Sequence, residues 1–67
     1  MKAIIKNLEK QHKLLVALVQ KRNDKAEGMS EAWQDSDKFE EWEDKTIDID
    51  EKAIDLHGVI IELKELT

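Results

Sequence analysis

A chain of 67 residues is one domain at most, and one this short buries only about 60% of its extended surface. It has no cysteine, no proline and two glycines, which excludes disulfides and thiolate metal sites and leaves few places to break a helix. Hydrophobic and charged residues each supply 40% of the chain, a helical or coiled-coil balance, and the net charge is −5.

Lys2 before Ala3-Ile4-Ile5 looks like the start of a signal peptide, but Lys6, Asn7, Glu9 and Lys10 interrupt it. The longest apolar run, Leu14 to Val19, is far shorter than the roughly 20 residues a membrane span needs. The expectation is a soluble, cytoplasmic chain with no membrane partner.

In chain order, the first long helix is predicted over about residues 2–27. Met1, Ile4, Ile5, Leu8, His12, Leu15, Leu18 and Val19 recur at the three- and four-residue steps of one helical face. Lys21, Arg22 and Lys25 fall in its last turns, where cations suit the negative end of the dipole. Gly28 is placed to end it with a left-handed cap. Residues 28–36 form the connection, either an ordered loop or a short turn that contains Trp33 and is capped by Ser30. A second long helix follows over about 37–66. Asp37 with Glu40 makes its capping-box-like start, and Ser36 and Asp35 are rival caps.

The second helix carries the most regular pattern. Phe39, Trp42, Thr46, Ile49, Ala53, Leu56, Ile60 and Leu63 alternate steps of three and four, a heptad seam. Ile47, Ile54 and Ile61 repeat every seven residues beside it. Gly58 falls on the outer face, where it costs about 1 kcal/mol relative to alanine.

These elements predict an all-α fold, an antiparallel two-helix hairpin. The two stripes of the second helix span roughly 160° of its circumference, wider than one partner helix covers. Leu14 to Val19 is apolar nearly all round. The simplest remedy is a homodimer of hairpins making a four-helix bundle. Its expected interface is Ile4, Leu8, Leu15, Leu18 and Val19 of the first helix with Phe39, Trp42, Ile47, Ile49, Ile54, Leu56, Ile60, Ile61 and Leu63 of the second. Residues 1–27 carry a net +4 and residues 28–67 a net −9, which favours unlike neighbours.

Two histidines bear on chemistry. In such a hairpin, positions whose numbers sum to about 69 share one height, and His12 and His57 do. Glu9 and His12 form the Glu-x-x-His spacing of carboxylate-bridged metal bundles, but Ile54 stands where His57 would need a carboxylate. Core histidines hydrogen-bonded to Asp55 or Glu62 are the plainer expectation. A histidine layer that loosens an assembly at mildly acidic pH is a further reading.

Trp33 is expected to cap the bundle end, with an exposed anchor for a partner protein as its alternative. The run Asp35, Asp37, Glu40, Glu41, Glu43 and Asp44 reads as a solvated helix start. Lys2, Lys6, Lys10, Lys13 and Lys21 lack the aromatic interleaving and recognition motif of a nucleic-acid binder. No phosphate loop or nucleophile constellation is present, so no catalysis and no cofactor is expected. Three functions follow: an oligomeric hairpin acting through protein contacts, a metal-binding bundle using histidine and carboxylates, and an acidic regulator sequestering a nucleic-acid-binding protein.

Overall fold

The computed structural model describes all of residues 1–67, and they form helices without strands. Helix α1 spans Lys2–Glu27, α2 Glu31–Gln34 and α3 Asp37–Glu65. α1 and α3 run antiparallel along one another: Arg22 meets Thr46 towards the turn, and Glu9 meets Lys64 towards the open end. No helix is long and apolar enough to cross a membrane.

One heptad seam from each long helix forms the contact. On α1 it is Ile5, Leu8, His12, Leu15, Val19, Arg22 and Ala26, all buried or half-buried. On α3 it is the predicted series from Phe39 to Leu63, likewise buried or half-buried throughout. Steps of three and four are those by which residues of a helix return to the same partner.

The connection departs from expectation at both ends. α1 stops at Glu27, but Gly28 is right-handed, with φ −81°, and not the left-handed cap expected of it. Backbone N–H groups of Gly28 and Met29 bond to the carbonyls of Asp24 and Ala26, and a side chain serves the helix end as well. The Gln34 amide donates to the carbonyls of Ala26 at 3.1 Å, Met29 at 3.1 Å and Glu27 at 3.4 Å. Gln34 ends a single helical turn, α2, with the Ser30 hydroxyl accepting from the Trp33 N–H at 3.3 Å. Ser36, not Asp37, is the residue before α3, and its hydroxyl donates backwards to the Trp33 carbonyl. Asp37 already lies inside the helix, so the Asp37–Glu40 capping box does not form.

The hairpin is a rod of 51 × 15 × 10 Å with a radius of gyration of 15.5 Å. A compact chain of this length has a radius near 11 Å. Four residues are buried: Ile5, Thr46, Ala53 and Ile60. The accessible surface is 5406 Å², against about 4,400 Å² for a compact monomer of this mass. Roughly 1,000 Å² is therefore exposed that a globular fold would cover.

Gly58 lies well inside α3, and nothing stands within 4 Å of the place a Cβ would take. Gly58→Ala is expected to raise the unfolding free energy by about 0.5–1 kcal/mol in a urea titration. A loss of stability would show that the bare backbone at this position is needed for a contact.

Candidate functional site

Near the turn, the seam is polar. The Arg22 guanidinium donates through Nε to the Thr46 hydroxyl at 2.8 Å and through Nη2 to the Trp42 carbonyl at 3.2 Å. The Thr46 hydroxyl donates to that same carbonyl at 2.8 Å, and the Trp42 indole N–H returns a bond to the Arg22 carbonyl at 3.1 Å. The guanidinium carbon also lies 3.9 Å from the Trp42 ring centroid, a cation–π contact. Sequence reasoning assigned Arg22 to the helix dipole and missed this lock. The available signal was its position, since Arg22 continues the α1 seam three residues beyond Val19.

Beside the lock, Trp33 is half-buried with its ring edge-on to Phe39, 5.7 Å between centroids, and to Trp42 at 6.1 Å. It closes the turn end of the hairpin and leaves a shallow groove lined by Lys25, Met29, Trp33, Lys38 and Trp42. The acidic run beyond it is exposed at each of its six carboxylates.

The residues expected at the interface separate into a seam and two outer faces. Leu8, Leu15, Val19, Phe39, Trp42, Ile49, Leu56, Ile60 and Leu63 line the seam inside one hairpin. Ile4, Leu18, Ile47, Ile54 and Ile61 are exposed, as are Leu14, Val16 and Val59. In an antiparallel pair, residues one step after a seam position share one face, and residues one step before share the other. Val16, Ile47, Ile54 and Ile61 follow seam residues; Ile4, Leu14, Leu18 and Val59 precede them. The Glu9–Lys64 ion pair, 3.6 Å across the helices, joins two residues of the following kind and so marks the first face. The expected interface residues therefore fall on the hairpin's own seam and on two opposite outer faces.

His12 and His57 come together as their heights require, with ring centroids 5.2 Å apart and planes inclined at 33°. His12 is a half-buried seam residue and His57 stands on the first face, between Ile54 and Ile61. Neither ring bonds to Asp55 or Glu62 as expected. Both carboxylates precede seam residues and lie on the opposite face, where Asp55 approaches Lys52 at 4.0 Å. Glu9 is drawn to Lys64 across the helices. No group of three histidine or carboxylate side chains converges as a metal site within the hairpin.

No protein-family model, curated protein or solved structure matches this chain.

Arg22 tests the lock. Arg22→Ala is expected to lower stability by about 1–3 kcal/mol, since it removes charge-assisted bonds and leaves Thr46 with one partner fewer. Arg22→Lys should recover little of this, because an ammonium cannot stack on Trp42 and reach both oxygens. Urea unfolding followed by tryptophan fluorescence reads both variants.

Proposed function

We propose that this protein is a small homo-oligomeric interaction module, a dimer of hairpins forming a four-helix bundle, that works through protein contacts without catalysing a reaction. Its excess accessible surface, together with the exposed apolar side chains of the two outer faces, supports this reading. A standard interface covers about 800 Å² on each partner, and the hairpin exposes roughly 1,000 Å² beyond a compact monomer.

A second copy is the occupant the chain suits best, and the first face is where it docks. There Ile47, Ile54 and Ile61 repeat every seven residues along α3, and Val16 of α1 adds to them. Ile54, the central member, is 63% exposed in the lone hairpin. Stacking two hairpins on this face about an axis parallel to the helices sets each α3 beside the partner's α1. That arrangement pairs the acidic part of the chain, net −9, with the basic part, net +4. The alternative two-fold, α3 on α3, would oppose like charges. The cysteine-free chain suits a reducing cytoplasm.

Light scattering on a sizing column is expected to give twice the 7.8 kDa chain mass at micromolar concentration. Ile54→Glu places a charge at the centre of the first face and should return the protein to one chain mass with its helicity kept. Leu18→Glu, on the other face, should leave the dimer intact. Dissociation by Leu18→Glu alone would move the interface to the second face, and a wild-type monomer would overturn the dimer itself.

A further inference from the structure

We propose that His12 and His57 form a two-histidine site for a divalent transition ion of the zinc, nickel or copper kind, bridging α1 and α3 near the middle of the hairpin. The pair belongs to a single hairpin, so the site does not depend on the dimer. Its first support is spacing. An ion about 2.0–2.1 Å from one nitrogen of each imidazole, at a tetrahedral angle, sets the two ring centroids about 5 Å apart. The observed separation is 5.2 Å.

The second support is that both rings are uncommitted. All side-chain hydrogen bonds in the structure are made by other residues, so no protein partner has to be displaced for an imidazole nitrogen to take an ion. In the single hairpin His57 is exposed and His12, though part of the seam, is half-buried. In the proposed dimer the first face turns towards the partner, so the pair then lies between the two hairpins.

The ligand type sets the selectivity. Neutral imidazole favours borderline ions such as zinc, nickel and copper, and has little hold on magnesium or calcium. With two protein ligands, water fills the remaining positions, because Glu9 is turned to Lys64 and no third ligand converges. The site is therefore incompletely liganded by protein within one hairpin, unlike a closed structural zinc centre. Binding joins the two long helices at a second point, some way from the Arg22 lock, and so stabilises the folded hairpin over the unfolded chain.

The test uses the full chain without an affinity tag, titrated with zinc by calorimetry at neutral pH, with magnesium as the control ion. Zinc is expected to saturate at one ion per hairpin. At about a hundredfold excess over its dissociation constant it should raise the thermal midpoint by about 10–20 °C, with no shift from magnesium. His57→Gln, outside the hairpin's own seam and of similar size and polarity, should weaken zinc binding at least tenfold and abolish the thermal shift. His12→Gln should do the same. Zinc binding that His57→Gln leaves unchanged would assign the ion to the surface carboxylates and overturn the proposal. So would the absence of saturable zinc binding below millimolar concentration.

Discussion

Two helices in contact share a single seam, and a seam is one side chain deep. That geometric limit governs nearly everything else about this protein. Each helix turns about a third of its circumference to its partner, and the remainder faces outwards whatever residues stand there. Even perfectly spaced heptads therefore leave Ile60 and Ala53 buried while Ile54 and Ile61, one step further round the same helix, stay wet. The rod is only 10 Å across in its thinnest direction, about one helix diameter, so it has no interior apart from that seam.

Within this limit the chain uses polar chemistry where apolar depth runs short. The turn end is closed by the Arg22, Trp42 and Thr46 lock, with Trp33 edge-on beside it and the Gln34 amide serving the end of α1. These contacts concentrate order at one end. The middle and the open end rely on aliphatic seam residues, the histidine pair and one exposed ion pair, which contributes little. The outer apolar stripes lie mainly along those less secured parts, which is where a second layer of helices would add most.

Much of this was legible in the sequence, for physical reasons that differ by element. The α3 seam was readable because its three-and-four spacing is unbroken over eight positions, and only a helix gives that period a common face. The meeting of His12 and His57 was readable because an antiparallel hairpin equates height with a sum of residue numbers. Arg22 was not, because a cation near a helix end already has an adequate explanation in the dipole. Gln34 was not, because its role depends on α2 folding it back under α1. The division of the apolar surface into two faces was hidden for a third reason: which side a residue takes depends on the direction in which the partner helix runs.

If the hairpin is half of an assembly, its folding and its association are one equilibrium, and stability must depend on concentration. Thermal unfolding followed by circular dichroism over about a hundredfold range of protein concentration tests this directly. A midpoint that climbs by several degrees with concentration is the predicted result. A midpoint that stays constant across the range, with a single cooperative transition, would mean the hairpin stands alone, and would contradict the account.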